Sequence, residues 1–557
     1  MSDTHDGIDG LDSNIPRAAQ ACNACRRQKR RCSKEMPCCS LCLRMGRPCD
    51  YSDSSPTPTA DDFHFLWKKV QNLEDRLEGR RPVSSSGSPT PISKSSSSPT
   101  GEALFGSALT NGWRATPSFP PLFFLDSEEF AHGNYSVQKP HMHLPVEILD
   151  ILGDTAEIQA MVATYFATVH TWLPIVSKKR FCQLLMNPPS SCGVDLSLLL
   201  LCMKLITQEP PKTIEATQSP LYTTAKQFFT LVEWSGIFSL QLVQSALLLA
   251  AYEIGHAIYP AAYLSVGHCA RLGYALGLHS RKASPQMLPR PSTWTEMEER
   301  RRIWWAVIML DRYVNVGNSN HPLASEDPSR DDYLPVDDTM WDQGEMTANE
   351  PLFVSSSTNL RAAPFARTCQ ASHLLGRVIR HLNDRTVNRS ILLAEATQLE
   401  RTVRALSLLL SDEFQEHHTA VSTPMAICYS ALMAIYDAYA CHEANDVENT
   451  PEEIGMQGNA IGGLKTMTKE IMILARHLRE TLAADGTAWV SPLVTDCLYQ
   501  AAANYAWLVR ETHNSENAEA LNEIKATLAV IDRRWRVAGE YIKILEANEF
   551  TYAVNVQ

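Results

Sequence analysis

Apolar residues recur at intervals of three and four along most of the chain, from about Leu144 to Phe550. This spacing places them on one face of an α-helix, and few runs alternate with the period of two that is typical of strands. The pattern predicts a mostly α protein with a large all-helical body over 144–550. Near the C-terminus it predicts one unbroken helix. Trp535 in this helix favours a core helix over a coiled coil. The apolar positions of this helix are Leu521, Ile524, Leu528, Ile531, Trp535, Ala538, Ile542 and Leu545.

A shorter segment, residues 63–78, has the heptad spacing of a coiled coil. Apolar residues fill successive a and d positions, which predicts a short coiled coil that pairs two chains. In a parallel pair, Lys69 at a g position faces Glu74 at an e position of the partner, and the two charges attract. So short a coil is marginal alone, and a short surface helix is the alternative. The predicted dimerisation residues are Phe63, Leu66, Val70, Leu73 and Leu77.

Polar sequence separates these elements. Residues 50–62 are predicted to be a linker rich in Ser, Pro, Thr and Asp, and 79–143 a low-complexity, disordered linker. Near the end of that linker, the acidic and aromatic stretch 119–130 is either an activation or docking segment or a strand-like arm that packs on the body. No run of about 18 apolar residues occurs, so no membrane partner is expected.

Six cysteines near the N-terminus follow the pattern C-x2-C-x6-C-x6-C-x2-C-x6-C over 22–49. Structural zinc takes four thiolates in a tetrahedron, so six thiolates complete two sites only if two sulfurs bridge both metals. The pattern therefore predicts a binuclear cluster with two zinc ions. A fold this small has almost no apolar core, so metal binding must supply its folding energy. The predicted ligands are Cys22, Cys25, Cys32, Cys39, Cys42 and Cys49.

Two features favour metal ligation by these six over other arrangements. Residues 1–21, predicted to be disordered, contain no apolar signal-peptide core, so a reducing compartment is expected and disulfides are disfavoured. Cys38 is a rival ligand, but only its neighbour Cys39 keeps the x2 spacing to Cys42. We therefore expect Cys38 to be a bystander.

The cysteine array surrounds a strongly basic run. Between Arg17 and Cys49 the net charge is +8, whereas the whole chain carries −12, so the remainder carries −20. Six thiolates and two zinc ions still leave this segment at +6, a balance typical of phosphate binding. Without the cysteines, the run would be interpreted as a solvated turn or a nuclear localisation signal. With them, we predict that phosphate or base contacts come from Arg26, Lys29, Arg30 and Arg31.

The segment from Cys22 to Cys49 resembles the DNA-binding module of the fungal binuclear zinc cluster transcription factors. The resemblance implies that Cys22 and Cys39 bridge the metals and that a short helix enters the major groove, where Lys29 reads a CGG triplet. Gln28 occupies a DNA-contacting position where the family often has lysine. The resemblance further implies a nuclear protein that binds double-stranded DNA at CGG-like half-sites as a homodimer.

Parts of the body resemble the middle homology region of the same family, a helical regulatory domain. The matching stretches include Tyr165-Phe166, Ala270-Arg271-Leu272 and Glu298–Arg312. The resemblance implies a regulator of RNA polymerase II genes, more often an activator, that contacts the transcription machinery or co-regulators. It also suggests a pathway-specific role in a secondary-metabolite gene cluster. From the residues themselves, the cluster at Arg300–Arg302 predicts buried or partly buried pairs with Glu298, Glu299 or Asp311, with a second DNA-binding surface as the alternative.

The sequence gives no support for an enzyme: it has no P-loop, no GxSxG and no GxGxxG after a strand, and no catalytic residue is predicted. His256, His268 and His279 are interpreted as core or surface residues rather than a metal site. Two other functions stay open, a zinc-dependent protein-interaction scaffold and a ligand-sensing helical body with a DNA-binding head, the latter requiring an apolar pocket with convergent polar groups. The cysteines predicted to be small buried hydrophobes are Cys182, Cys192, Cys202, Cys269, Cys369, Cys428, Cys441 and Cys497.

Overall fold

The computed structural model divides the chain into two compact units, an N-terminal unit (residues 1–105) and a C-terminal unit (residues 106–557). The residues that the structure describes are 16, 18, 20–27, 32–51, 121–133, 140, 142–186, 193–210, 215–279, 288, 290–317, 321–346, 352–357, 360–384, 389–414, 418–440 and 450–555.

The N-terminal unit contains two short helices, α1 (Asn23–Arg27) and α2 (Ser40–Arg44). The residues that follow each helix are joined by backbone hydrogen bonds to residues at or before the start of α1. The N–H of Asn23 donates to the carbonyl of Asp50 at 2.8 Å, and the N–H of Met36 donates to the carbonyl of Pro16 at 2.8 Å. The bond between Asn23 and Asp50 joins the two ends of the segment that contains the six cysteines. The predicted heptad, residues 63–78, lies outside the described residues.

The C-terminal unit is built from helices, which confirms the prediction of a mostly α protein. The described residues of the C-terminal unit form one isolated β bridge, between Tyr333 and Phe353. The helices are α3 (Leu122–Leu125), α4 (Ser127–His132), α5 (Val146–Leu152), α6 (Thr155–Ala167), α7 (Lys178–Leu185), α8 (Val194–Thr207), α9 (Pro220–Trp234), α10 (Leu240–Gly255), α11 (Ala261–Ala275), α12 (Trp294–Tyr313), α13 (Asp338–Gln343), α14 (Pro364–Asn383), α15 (Arg389–Phe414), α16 (His418–Ala440), α17 (Pro451–Asp485), α18 (Thr495–Thr512), α19 (Ser515–Ile531) and α20 (Val537–Asn555).

Helix α12 lies at the centre of this unit. It packs against α10 and α11, which precede it in the chain, and against α14, which follows it, so it joins the earlier helices to the later ones. Helix α16 in turn contacts α14, α15, α17 and α18. One continuous apolar cluster runs through all of these elements. Within the described part of the chain, no helix is both long and apolar enough to cross a membrane.

The prediction of one unbroken C-terminal helix is wrong. The apolar positions are in the core, but the chain leaves the helix at Asp532 and begins α20 at Val537. Two side chains in the break explain it. Arg534 donates to the carbonyls of Gln208, at 3.2 Å, and Ile206, and so satisfies the C-terminal end of α8. Trp535 is fully buried, and its indole N–H donates to the carbonyl of Val490 at 2.7 Å.

Two short helices, α3 and α4, occur within the range predicted as a disordered linker. The acidic and aromatic stretch is therefore helical where the structure describes it, and the strand-like arm is wrong. Asp126 caps α4 by accepting from the N–H of Glu129 at 3.1 Å. Phe130 is buried, whereas Phe124 and Leu125 are exposed.

Scattered cysteines and histidines of the body fill mainly structural positions. Five of the eight cysteines are buried as predicted, Cys182 is exposed against the prediction, and Cys192 and Cys441 lie outside the described residues. His256 is buried between the rings of Tyr252 and Trp535, and burial lowers its pKa to about 3. The buried cysteines are Cys202, Cys269, Cys369, Cys428 and Cys497.

Candidate metal centre and nucleic-acid interface

Each CxxC pair opens a short helix of the N-terminal unit. Cys22 immediately precedes α1, and Cys39 is the N-cap of α2. The backbone N–H of Cys42 donates to Sγ of Cys39 at 3.4 Å, so the sulfur accepts one of the donors that a first helical turn leaves unsatisfied. Cys25 and Cys42 follow one turn later on the same helix face as the cysteine before them. The repeated motif thus presents two sulfurs at the start of each helix.

The six sulfurs form two sets of four that share two members. Within each set, all Sγ atoms lie within 4.8 Å of one another. The first set is Cys22, Cys25, Cys32 and Cys39. The second set is Cys22, Cys39, Cys42 and Cys49. Cys25 and Cys42, one from each set, are 3.9 Å apart, so the sulfurs make one cluster rather than two separate sites.

The sulfur spacings fit tetrahedral zinc. With Zn–S bonds of about 2.3 Å, the sulfurs of a tetrahedron are about 3.8 Å apart. The shared pair, Cys22 and Cys39, is separated by 3.8 Å, and Cys25 lies 3.7 Å from Cys39. Cys22 and Cys42 are 3.6 Å apart. An all-thiolate set leaves no open coordination position, so a metal held here is structural rather than catalytic.

Hydrogen bonds lower the pKa, and so favour the thiolate form, at three of these cysteines, namely Cys32, Cys39 and Cys49. Burial alone would raise the pKa of the Cys39 thiol, but the hydrogen bonds that its sulfur accepts, first from the N–H of Cys42, lower it below its ordinary value. Burial would likewise raise the pKa of Cys49, but the hydrogen bonds to its sulfur, first that from the N–H of Cys39 at 3.3 Å, together lower it. At Cys25, burial raises the pKa to about 12. Zinc binding at Cys25 therefore releases a proton.

Cysteines also form the core of the N-terminal unit. Its described buried side chains are all sulfur-bearing, and small groups, the side chain of Leu41 and one aromatic ring surround them. The ring is that of Tyr51, whose hydroxyl donates to the carbonyl of Glu35 at 2.9 Å and lies 3.8 Å from Sγ of Cys32. So little apolar surface cannot offset the entropy of ordering the chain. The buried residues are Cys22, Cys25, Cys39 and Cys42.

Cys38 belongs to neither set of four. Its sulfur donates instead to the carbonyl of its neighbour Cys39, at 3.7 Å. Cys38 therefore lies beside the cluster without being a member of either set.

The predicted DNA contacts begin on α1, but the structure describes little of them. Arg26 lies within α1, one turn beyond Cys22. Its side chain and the residues Gln28, Lys29, Arg30 and Arg31 lie outside what the structure describes. The second half of the cluster carries exposed Arg44 and Arg47. Of the basic run, the structure describes only the backbone of Arg26 and Arg27, at the end of α1.

In the C-terminal unit, the arginine cluster of α12 forms buried ion pairs, as predicted. Fully buried Arg302 donates to Glu298 at 3.0 Å and to Asp338 of α13 at 2.6 Å. Arg301 pairs with the same Glu298. Arg300 pairs with Glu296 at 2.6 Å, which was not among the predicted partners. These guanidinium groups are held inside the helical body, which argues against a second DNA-binding surface.

The end of α12 holds a neighbouring loop through Asp311 and Arg312. The carboxylate of Asp311 accepts from the N–H groups of Ala324 and Ser325 at 3.1 and 2.9 Å. Arg312 donates to the hydroxyl of Ser325 at 2.6 Å and to the carboxylate of Asp327 at 3.0 Å. The sequence indicated buried charge here but not these partners, because a loop residue more than a turn away leaves no periodic signal.

Comparison with known proteins agrees with these features. Residues 20–58 match the family model described as the fungal Zn(2)-Cys(6) binuclear cluster domain, and residues 162–419 match the fungal specific transcription factor domain. Proteins with the first domain bind zinc through the six cysteines, and both domains are typical of transcription factors rather than enzymes.

Several known transcription factors are similar to this chain, over about a third to two thirds of its length. The chain is 43% identical over 180 residues to transcription factor BOA15 of Botryotinia fuckeliana, covering 32% of this chain and 98% of that protein. It is 24% identical over 448 residues to transcription factor tazR of Aspergillus terreus, covering 66% of this chain and 70% of that protein. It is 24% identical over 356 residues to the citrinin biosynthesis transcriptional activator mrl3 of Monascus ruber, covering 59% and 65% respectively.

Proposed function

We propose that this chain, which belongs to the fungal Zn(2)-Cys(6) transcription factors, is a nuclear regulator that reads CGG-like triplets in DNA through a two-zinc cluster. One observation carries the proposal. Two sets of four sulfurs share two members inside a segment of net charge +8, on a chain whose remainder is strongly acidic. A metal-organised basic surface of this kind suits a polyanion, and the acidic remainder disfavours binding of DNA elsewhere.

Two zinc ions are assigned to the two sets of sulfurs. Cys25 and Cys32 would complete one tetrahedron with the shared pair, and Cys42 and Cys49 would complete the other. Cys22 and Cys39 would then bridge both ions. Six ligands satisfy two tetrahedral ions in this way, and the distance of 3.8 Å between the shared sulfurs suits a common tetrahedral edge.

The first helix would deliver the basic run to the major groove. Arg26, Arg30 and Arg31 would contact phosphates, which supply most of the affinity but little selection. Lys29 would donate to the O6 and N7 acceptors of guanine, which supplies the selection for the triplet. Gln28 would contact the adjacent base or phosphate.

We expect Lys29→Ala to weaken binding to a CGG-containing duplex by about tenfold to hundredfold, because one base contact accounts for about 1–3 kcal/mol of discrimination. Binding to a duplex without the triplet should change much less, and zinc content should not change. Fluorescence anisotropy with both duplexes at one salt concentration measures the difference. As a matched control, Arg44→Ala on exposed α2 should weaken both duplexes by the same small factor. Equal losses on both duplexes for Lys29→Ala would remove its assigned role.

The heptad segment would pair two clusters on one DNA site. Leu66 and Leu73 occupy d positions of the predicted coil, where burial between two helices stabilises the dimer. The double variant Leu66→Asp, Leu73→Asp in the full chain should bind a single half-site normally but lose the gain in affinity from paired half-sites. The control Lys68→Asp, Gln71→Asp adds two carboxylates at outward f and b positions. Loss of paired-site binding in both variants would contradict the coil.

A pathway-specific activator is the role that best suits this architecture. The helical C-terminal unit is acidic and is separated from the DNA-binding cluster by a low-complexity segment, so it can meet co-regulators or the transcription machinery away from DNA. Similarity to an activator of citrinin biosynthesis supports control of a biosynthetic gene cluster. A zinc-dependent protein scaffold, by contrast, would show no salt-dependent DNA binding.

A further inference from the structure

A cavity of about 840 Å³ opens in the C-terminal unit, and neither zinc nor DNA binding uses it. It lies between α11, the loop 321–327 and the C-terminal end of α14. Its volume is in the range of sites that take small organic molecules. Apolar groups contribute to the lining, namely Tyr274, Leu323, Ala324 and Ile379.

One wall of this cavity is preorganised by buried charge. Asp311 accepts from two backbone N–H groups of the loop, and Arg312 donates to Ser325 and to the carbonyl of Glu326 at 3.0 Å. Arg312 itself lies against Gly376 of α14, where an added Cβ would come within 2.7 Å of its Nε. The loop is therefore tied to both α12 and α14, and the cavity does not have to form when a ligand arrives.

Two lining residues carry opposite charges without a partner. Within the described part of the chain, the guanidinium of Arg271 and the carboxylate of Glu326 make no hydrogen bond or ion pair, including with each other. Both flank Tyr274, which follows Arg271 by one helical turn and accepts from the N–H of Glu326 at 2.8 Å. The lining has two other charged residues: Arg380 is already paired with Asp327, and Asp384 also has a partner.

We propose that this cavity binds a small zwitterion with an apolar body, in the chemical class of the α-amino acids. Arg271 holds the carboxylate of the ligand, Glu326 holds its ammonium group, and Leu323 and Ile379 contact its side chain. An anion alone would leave Glu326 facing a like charge, and a cation alone would do the same at Arg271. Only a ligand with both charges satisfies both residues.

The test uses the zinc-loaded full-length protein. The standard L-amino acids are screened by ligand-observed NMR, and hits are titrated by calorimetry. We expect at least one apolar amino acid, for which L-phenylalanine is the reference probe, to bind with a stoichiometry of one per chain. Its one-charge analogues, 3-phenylpropanoate and 2-phenylethylamine, should bind about tenfold more weakly, because each lacks one charge-assisted hydrogen-bonded contact.

Two variants separate the roles of the two residues. Arg271→Gln should weaken the amino acid about tenfold without changing 2-phenylethylamine, and Glu326→Gln should weaken it similarly without changing 3-phenylpropanoate. Arg330→Gln, at an exposed position beyond the cavity, is the control and should change neither affinity. Absence of saturable binding by any amino acid would overturn the proposal. So would 3-phenylpropanoate that binds as tightly as phenylalanine while Glu326→Gln has no effect, which would indicate an organic-anion site. Specific DNA binding is measured on the same samples, and its retention separates failure at the cavity from failure of the proposed function.

Discussion

Replacing Cys39 with serine is expected to remove both zinc ions and unfold the N-terminal unit. Cys39 belongs to both sets of four sulfurs, so its loss leaves each set with three. It is also the N-cap of α2, and its backbone N–H donates to Cys49. Structural zinc contributes about 10–16 kcal/mol to the folding of small domains, far more than the apolar contacts of this unit can replace. Zinc content by plasma mass spectrometry should fall from two ions per chain toward zero, and specific DNA binding should be lost.

The neighbouring Cys38 provides a matched control for that variant. Cys38→Ser makes the same chemical change one residue away, at a sulfur outside both sets. It should keep two zinc ions per chain and bind DNA as the unaltered protein does. The assignment fails if Cys38→Ser loses zinc, or if Cys39→Ser retains two ions.

Arg302→Met should cause the largest loss of stability in the C-terminal unit. Arg302 is fully buried, donates to Glu298, Asp338 and the carbonyl of Val336, and stacks over Trp341 at 4.1 Å. Methionine has a similar volume but removes the donor from Asp338 and from the carbonyl of Val336, and it leaves Arg301 as the cationic partner of the buried Glu298. Breaking a buried ion pair in this way costs about 3–5 kcal/mol of unfolding free energy. Urea denaturation followed by tryptophan fluorescence should show a clearly lower midpoint.

A surface arginine tests whether burial is the reason for the large loss of stability expected at Arg302. Arg476 also binds a carboxylate with two nitrogens, at 2.8 and 2.9 Å from Glu523, but nearly half of its side chain is exposed. Arg476→Met should therefore lower the unfolding free energy by about 1 kcal/mol at most. Equal effects of the two variants would show that burial of Arg302 does not determine its contribution.

The cysteine cluster is the part of the molecule most directly encoded in local sequence. Ligand identity, spacing and the requirement for shared sulfurs all follow from six residues within a short segment, and the two sets in the structure share the two sulfurs expected to bridge. Metal coordination has fixed geometry, so few arrangements of such a segment are possible. The DNA-contacting side chains of Lys29 and its neighbours stay a prediction, since they lie outside the described residues.

The helical body was predictable in type but not in detail. Apolar periodicity gave the helices and the buried positions of Ile524, Leu528 and Ile531. It could not reveal the break at 532–536, because the period continues through Trp535 although the backbone does not. The break depends on the contact of Arg534 with the end of α8, which is more than 300 residues away in the sequence. The sequence around residue 534 does not indicate this contact. Tertiary contacts of this kind override local propensity.

The sequence also did not identify all partners of the buried charges. The cluster at Arg300–Arg302 indicated internal ion pairs, and Glu298 at one helical turn was a natural partner. Asp338 lies on another helix, α13, and Asp327 lies on a loop, so neither could be paired with its arginine by spacing. The cavity beside that loop could not be predicted for the same reason, because residues distant in sequence form it. Its two unpaired charges come from separate elements that only the fold brings together.

Selection of bound sequences from a random DNA library shows whether the zinc cluster reads CGG-like triplets. Full-length, zinc-loaded protein is used for repeated selection and sequencing, in parallel with protein treated with a zinc chelator. We expect enrichment of paired CGG-like triplets in the first sample and none in the second. Bound sequences without CGG-like triplets, or enrichment that survives removal of zinc, would contradict it.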